Sequence, residues 1–230
     1  MLAAAQFTPL FGAILICWIF SVCVHEFAHA LVAYIGGDRS VVEKGYLKFN
    51  PLAYVDPVGS LLLPAIFLAL GGLPLPGGAV SINRAALRSR HWSALVSLAG
   101  PASNFVLFLA LAVIVHPAIG LVDPDSFRQP TWATVAGAMC VLELYSVFFN
   151  LIPVPPLDGF GIIEPYLPRE LRERMRASGM VPLIVVFFLF SVDPVRDAFM
   201  DGCSIVLELL GLPWESTWRA YNLALFGSSE

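Results

Sequence analysis

Long apolar runs separated by short polar segments make up most of this 230-residue chain. The first run, at residues 8–36, is interrupted only by a polar cluster at 25–29. Two more runs, densest at 100–115 and 131–150, each carry at most one charged residue. Because a helix of about 20 apolar residues crosses a bilayer, these three runs are predicted to form membrane-spanning helices.

Two other apolar segments predict less regular structure. Residues 57–78 contain Pro64 and end in a glycine- and proline-rich tail, so they are predicted to re-enter the membrane, or to cross it and return as extended chain. Residues 180–212 are predicted to form C-terminal helices, and residues 168–176 an amphipathic helix on the membrane surface. The expected fold class is an all-α polytopic membrane protein with about four to six transmembrane helices, a re-entrant segment and a short β-ribbon near residues 77–82.

Composition agrees with a membrane domain and excludes other classes. Hydrophobic residues make up 58% of the chain and charged residues 13%, against about 45–50% and about 25% in an average soluble domain. Disorder is excluded, since disordered chains are rich in charge and poor in apolar side chains. A nucleic-acid partner is not expected, because 13 Lys and Arg against 17 Asp and Glu leave no excess of cations for phosphates. The protein is therefore expected to lie in a lipid bilayer. Residues 1–230 are expected to form one membrane-embedded domain with its core at 8–170. The oligomeric state stays open.

The polar cluster inside the first predicted span has the spacing of a metal site. His25 and His29 are four residues apart, so both imidazoles project from one face of a helix. Glu26 lies beside them, where it can accept a proton from a water molecule on the metal. Ionisable groups inside a span cost several kcal/mol unless they are paired or bind a metal. The cluster therefore predicts a catalytic zinc site.

A catalytic zinc ion takes three protein ligands and keeps one position open, so a third ligand must come from elsewhere in the chain. Asp38 and Glu43 follow the first span, and Glu143 lies within the third predicted span as a ligand or as a partner of one. The strongest candidate is Asp158, because three prolines must unwind the chain just before it. Irregular backbone at membrane depth has to face protein or a water-filled cavity, which is where a metal ligand is needed. Two isolated histidines are interpreted as surface or interfacial residues: His91 and His116.

The two motifs together resemble those of the site-2 proteases, the intramembrane zinc metalloproteases. HExxH at 25–29 is followed by Asn-x-x-Pro-x-Pro-x-x-Asp-Gly at 150–159. Further matches are Asn-Pro and Asp-Pro-x-Gly within 50–59, typical of the compact prokaryotic branch without PDZ or CBS domains, and Gly-Pro-Ala-Ser-Asn at 100–104. The resemblance covers about residues 10–170.

This resemblance implies a set of residue roles and an activity. It implies that His25, His29 and Asp158 bind one Zn²⁺ ion and that Glu26 is the catalytic carboxylate. Asn150 matches an asparagine that holds the substrate backbone or the developing oxyanion. The implied activity is hydrolysis of peptide bonds in transmembrane segments of membrane-protein substrates, as in regulated intramembrane proteolysis.

Three further residues are given supporting roles. A transmembrane helix must be unwound before its peptide bonds can react, and unwound chain can pair with residues 77–82 as an added strand. Gly78 and Ala79 are therefore expected to contact substrate. Asn104 is expected to have a structural role.

One shared metal also restricts the topology. Both motifs lie toward the C-terminal ends of their segments, so the spans at 8–36 and 131–150 must run in the same direction. The loops that follow these two ends, together with the loop at 75–97, hold ten of the 13 Lys and Arg, while the loop at 116–130 holds one. The positive-inside rule then places the active site nearer the cytoplasmic face, and the resemblance indicates a prokaryotic cell membrane.

Two other functions stay open on the sequence alone. Intramembrane histidines and acidic residues also line ion paths, so the chain could be a carrier of divalent metal. It could also be a catalytically silent relative that serves as a binding scaffold. The clustering of polar groups near one face argues against a carrier, and the presence of Glu26 argues against a scaffold.

Overall fold

The computed structural model describes residues 9–54, 80–119, 121–122 and 127–227, and these residues are largely helical. They contain no strand, which confirms the predicted all-α class. Residues 80–82 of the expected β-ribbon have no regular secondary structure. Residues 77–79 of the ribbon lie outside the described residues, and so does the re-entrant segment predicted at 57–78. The α-helices of the described residues are α1 (Pro9–Gly36), α2 (Ser40–Glu43), α3 (Pro51–Tyr54), α4 (Arg90–Val115), α5 (Trp132–Asn150), α6 (Asp158–Ile163), α7 (Arg169–Ala177), α8 (Val181–Phe190), α9 (Asp193–Leu209) and α10 (Trp214–Phe226).

Three of these helices are long and apolar enough to cross a membrane. They are α1, α4 and α5, with 28, 26 and 19 residues. The helix α8 is apolar but has only 10 residues, and the chain leaves it at Ser191 before α9 begins with Pro194 in its first turn. The predicted spans at 8–36, 100–115 and 131–150 therefore each correspond to one helix, and the C-terminal helices predicted at 180–212 are two shorter ones, α8 and α9.

The first spanning helix is followed by a glycine in a conformation that other residues rarely adopt. Gly37 has a φ of +123°, and a Cβ at this position would come 2.7 Å from the Ala86 carbonyl oxygen. Beyond it, the backbone N–H of Asp38 donates to the Ala33 carbonyl oxygen at 2.9 Å. The absence of a side chain at Gly37 therefore lets the loop before α4 pack against the end of α1.

The spanning helix α4 runs antiparallel to α1. Near the middle of α1, Ser21 lies within hydrogen-bond distance of Asn104, at 3.1 Å. Two turns further along α1, His29 instead contacts Val96, which precedes Asn104 on α4. Contacts that advance along α1 thus move backwards along α4.

The spanning helix α5 runs in the same direction as α1. Glu143 on α5 is hydrogen-bonded to Asn104, at the level of Ser21. Asp158, which lies beyond the end of α5, reaches the level of His29. The two motif-bearing segments are therefore parallel, as one shared metal requires.

The largest apolar cluster lies among α1, α4, α5 and the C-terminal helix α10. At Gly137 on α5 a Cβ would come 2.9 Å from the Cβ of Ala220 on α10, so the two helices approach closely at small residues. Phe108 on α4 is fully buried within the cluster. This core holds one end of the bundle, and the polar cluster of α1 lies toward the other.

Candidate metal centre

Three side chains that are distant in sequence meet between α1 and the start of α6. The Asp158 Oδ2 atom lies 3.1 Å from His25 Nε2 and 3.4 Å from His29 Nε2. The two Nε2 atoms are 3.0 Å apart. In a tetrahedral zinc site with bonds of about 2.0–2.1 Å, ligand atoms lie about 3.3 Å from one another. The three atoms therefore have the spacing of three corners of such a site.

The exposure of the three side chains shows from which side solvent reaches the ligand atoms. The side chains of His25 and His29 are 5% and 8% exposed, whereas that of Asp158 is 19% exposed. The cluster is therefore closed on the side of α1 and opens beside the carboxylate. A catalytic metal site needs such an open side for water and substrate.

The other ring nitrogen of each histidine has a hydrogen-bond acceptor. The Nδ1 atom of His29 donates to the Val96 carbonyl oxygen at 2.6 Å, and the Nδ1 atom of His25 donates to Asn104 Oδ1. With the protons on Nδ1, both Nε2 atoms keep their lone pairs and face the common point. This is the tautomer that a metal ion binds through Nε2.

Asn104 is in turn held by two polar groups from the other spanning helices. Its Nδ2 atom donates to Glu143 Oε2 at 2.6 Å and to Ser21 Oγ at 3.1 Å. Asn104 and Glu143 are 2% and 1% exposed. Of the two roles considered for Glu143, this contact supports that of a partner of a ligand, since Glu143 does not belong to the cluster of three.

The position of Asp158 depends on the proline-rich turn after α5. The helix α5 ends at Asn150, and α6 begins at Asp158 itself. A Cβ at the next residue, Gly159, would overlap the backbone carbonyl of Leu151. Only a glycine therefore allows the start of α6 to fold back closely enough to bring the carboxylate to the histidines.

Asp158 contributes the third ligand atom of the cluster. Its Oδ2 atom faces the Nε2 atoms of both histidines, and a carboxylate is the form in which aspartate binds a metal.

A glycine on α4 makes room for the two imidazoles. A Cβ at Gly100 would lie within 2.5 Å of His25 Nε2 and would also overlap His29 Nε2. These are the two atoms that face Asp158. Any side chain at this position would therefore displace the nitrogen atoms that are available to a metal.

The carboxylate of Glu26 is buried beside the cluster and touches the chain that precedes α4. Its Oε2 atom accepts the N–H of Val80 at 3.1 Å, and the residue is 5% exposed. The same stretch is anchored again at Asn83, whose N–H donates to Asp38 Oδ2 at 2.7 Å. Lys44 donates to the Ser81 carbonyl oxygen at 2.6 Å. Residues 80–83 thus lie over the end of α1, next to Glu26.

The remaining residues considered on the sequence lie outside the cluster of three. Asp38 binds Asn83 and Ser40, and Glu43 is exposed on α2. Asn150 is buried at the end of α5, where its Nδ2 atom donates to Ser146 Oγ at 3.3 Å. The two isolated histidines have their own contacts: His91 with the Tyr166 hydroxyl group and His116 with the Leu210 carbonyl oxygen. Gly78 and Ala79 lie outside the described residues.

Sequence reasoning missed several groups that position the cluster. The Val96 carbonyl that holds His29 has no sequence signal, because every residue carries a carbonyl. Gly100 was part of a recognised motif, but its contact with the imidazoles depends on how α4 packs on α1.

A buried carboxylate, Glu164, binds Arg84 at 3.2 Å and also Arg176. These ion pairs join the turn after α6 to the loop before α4 and to α7.

Two histidines of an HExxH motif that meet a carboxylate as third ligand, among helices able to span a membrane, define a membrane-embedded zinc metallopeptidase. Comparison with known proteins agrees. The chain is 35% identical over 211 residues to Rip2 of Mycobacterium tuberculosis, described as a "putative zinc metalloprotease", covering 92% of this chain and 79% of that protein. It is 36% identical over 186 residues to Rip2 of Mycolicibacterium smegmatis (80% and 68%) and 36% identical over 176 residues to YwhC of Bacillus subtilis (75% and 77%), which carry the same description.

The chain belongs to the site-2 protease family. It is a zinc metalloprotease of the membrane, and its cofactor is Zn²⁺. No family model matches the chain, and no solved structure does.

Proposed function

We propose that this enzyme is an intramembrane endopeptidase that cleaves transmembrane segments of membrane-protein substrates. The observation that carries the proposal is the meeting of His25, His29 and Asp158 beside a buried Glu26. This cluster lies among helices long enough to span a bilayer. A peptide bond has to enter the membrane domain to reach it.

In this proposal His25, His29 and Asp158 hold the zinc ion. Their ligand atoms have the mutual spacing of a tetrahedral site, and both histidines present Nε2. A zinc ion held by these three residues would supply Lewis-acid chemistry, polarising the scissile carbonyl and lowering the pKa of a water ligand to about 7.

Glu26 acts as the general base and then as the general acid. Its carboxylate takes a proton from the attacking water and later delivers that proton to the leaving amine. The N–H of Val80, 3.1 Å from Oε2, fixes the orientation of the carboxylate. Burial of Glu26 keeps competing water away from this proton transfer.

Asn150 is assigned to the substrate carbonyl. Its amide is buried at the end of α5, on the segment that leads to Asp158, and has Ser146 as a hydrogen-bond partner. A donor of this kind stabilises the negative charge that develops on the carbonyl oxygen, and loss of one typically costs about 10²–10³ in rate.

The segment at residues 77–82 is assigned to the unwound substrate. Residues 80–83 lie next to Glu26 and are held there by side chains of α1 and the loop after it. Substrate backbone could pair with this segment as an added strand, with contacts at Gly78 and Ala79.

All residues given a role in this proposal lie within 8–170, which we propose as the catalytic core of one membrane domain.

We further propose that the cluster faces the cytoplasmic side of a prokaryotic cell membrane. The parallel directions of α1 and α5 place both motif-bearing ends on one side. The loops on that side hold ten of the 13 Lys and Arg, and cationic loops favour the cytoplasm.

The test is cleavage of a membrane-spanning reporter by the purified enzyme in vesicles, with the zinc content measured alongside. Glu26→Gln is expected to lower turnover by about 10³-fold or more and to retain zinc, because it removes the base and no ligand. Asp158→Ala is expected to lose both zinc and turnover. Ala79→Pro, in the same assay, is expected to slow cleavage and leave zinc in place.

Glu170→Gln, an exposed carboxylate on α7, is the matched control and is expected to behave as wild type. Unchanged turnover in Glu26→Gln would contradict the proposal. Metal uptake into vesicles that survives Glu26→Gln would indicate a carrier, and zinc binding without any cleavage by wild type would indicate a scaffold.

A further inference from the structure

We propose that Asn104 and Glu143 are positioning residues that select the metal-binding tautomer of His25. The inference rests on the proposed function only in that His25 holds the metal. Neither residue touches the point where the three ligand atoms meet. Both act through the ring of His25.

The three groups form one buried chain across three helices. His25 Nδ1 on α1 contacts Asn104 Oδ1 on α4, and Asn104 Nδ2 contacts Glu143 Oε2 on α5 at 2.6 Å. Asn104 and Glu143 are 2% and 1% exposed. In a membrane span, where burial of an acidic side chain is costly, such a carboxylate needs a specific partner, and Asn104 supplies it.

The order of donors and acceptors in this chain has only one solution when Glu143 is a carboxylate. A carboxylate accepts hydrogen bonds and donates none, so the amide nitrogen of Asn104 must face it. The amide oxygen of Asn104 then faces His25. Because that oxygen is an acceptor, the proton of the imidazole must lie on Nδ1, and Nε2 keeps the lone pair.

The opposite orientation of Asn104 would disable the ligand. If the amide nitrogen faced His25, Nδ1 would have to accept and the ring proton would move to Nε2. That proton would point at His29 Nε2 and Asp158 Oδ2, where a metal must bind. Glu143 therefore decides, through the orientation of one amide, which nitrogen of His25 is free.

His29 needs no comparable device. Its Nδ1 atom donates to the Val96 carbonyl oxygen at 2.6 Å, and a backbone carbonyl is an acceptor in every orientation. His25 instead has the Asn104 side chain as its partner, and an amide can face a ring with either its oxygen or its nitrogen. This difference gives the buried Glu143 a role that the proposed reaction itself leaves unassigned.

The test removes the group that fixes the amide, then supplies an acceptor that needs no fixing, and measures zinc affinity by competition with a chromogenic chelator. Glu143→Leu leaves the amide of Asn104 free to turn its nitrogen toward His25. It is expected to weaken zinc binding by about 10–100-fold, as loss of a group that orients a ligand does. In the double variant Asn104→Asp/Glu143→Leu a carboxylate faces His25 and accepts in either orientation, so zinc is expected to bind within about threefold of wild type.

Rescue by the second substitution is the result that a merely structural role would not produce, because Asn104→Asp does not refill the volume or replace the hydrogen bond lost with Glu143. Glu208→Gln on the exposed face of α9 is the matched control and should not change the affinity. Wild-type affinity in Glu143→Leu, or a double variant as weak as Glu143→Leu, would overturn the proposal.

Should Glu143→Leu fail to fold, Asn104→Asp/Glu143→Leu is compared with Asn104→Leu/Glu143→Leu, which leaves no side-chain acceptor for His25 at either position. Tighter zinc binding by the variant that carries the carboxylate supports the proposal, and equal affinity overturns it. The readout is separate from proteolysis. Rescue of zinc affinity in an enzyme that cleaves no reporter would refute the proposed function alone, and cleavage without rescue would refute only the role of Asn104 and Glu143.

Discussion

The two ends of the bundle formed by α1, α4 and α5 are held together in different ways. At one end, Ile14, Phe108 and Met139 belong to a single apolar cluster. At the other end, His25, Glu26 and their partners are polar, yet every buried side-chain nitrogen and oxygen in the described part of the chain has a hydrogen-bond partner. Nondirectional packing of apolar side chains stabilises the first end, and directional hydrogen bonds stabilise the second.

This difference teaches where the chain tolerates change. An apolar cluster loses contact energy in proportion to the volume removed. The polar end depends on a few approaches in which one added atom moves a ligand. The metal-binding end should therefore be the more sensitive to small substitutions, although it contributes less apolar packing.

In this comparison of the two ends, the largest expected effect follows from one added methyl group at the polar end. Gly100→Ala is expected to lower zinc affinity and turnover by about 100-fold or more, because its Cβ would overlap the Nε2 atoms of His25 and His29. Zinc analysis of the purified protein and the reporter assay measure both effects. Gly12→Ala, on the same bundle with no atom within 4 Å of the new Cβ, is the control. Full zinc occupancy in Gly100→Ala would contradict the close approach.

A larger deletion at the apolar end should change stability and spare the metal. Phe108→Ala removes a fully buried ring and is expected to cost about 2 kcal/mol, mainly the cavity term, since the side chain would otherwise face lipid rather than water. Thermal unfolding in detergent measures the change. Folded protein should still bind one zinc ion per chain.

The control for this variant is Phe105→Ala, which truncates a ring on the same helix that is 43% exposed. Its Tm should stay near that of wild type. Loss of zinc from folded Phe108→Ala would show that the two ends are not independent.

The smallest expected effect concerns the loop that covers Glu26. Burial tends to raise the pKa of Asp38, but hydrogen bonds from Ser40 and Asn83 and the charge of Lys44 outweigh it, so the pKa is lowered. A lowered pKa stabilises the fold above the unfolded-state pKa of about 3.9, and this contribution is lost as the pH falls through the folded-state value. Asp38→Asn is therefore expected to lower the Tm by about 3 °C at pH 7 and by less near pH 3.

Thermal unfolding at both pH values checks this sign, with the exposed Asp201→Asn as the control. A difference between Asp38→Asn and wild type that grows on acidification would show that the ionised carboxylate is not the stabilising form.

Much of the metal centre could be predicted because its ligands are recognised by residue type and by their spacing along the chain. The spacing of His25 and His29 fixes their common face once a helix forms, and the prolines before Asp158 end the preceding helix wherever it lies. The parallel directions of the two segments followed from the assumption of one metal. The contact between Asn104 and Glu143 did not follow, because no local rule relates residues on helices whose rotation and depth are unknown.

The amino-acid pattern by itself determined the helical class, three spanning segments and the side chains that can bind and activate a zinc ion. It did so because apolar length and helical periodicity are local properties. Tertiary packing alone decided that the Val96 carbonyl holds His29, that Gly100 makes room for two rings, and that Glu143 orients an amide on a neighbouring helix. These contacts depend on the exact distances between neighbouring helices, which are set by the simultaneous fit of all three.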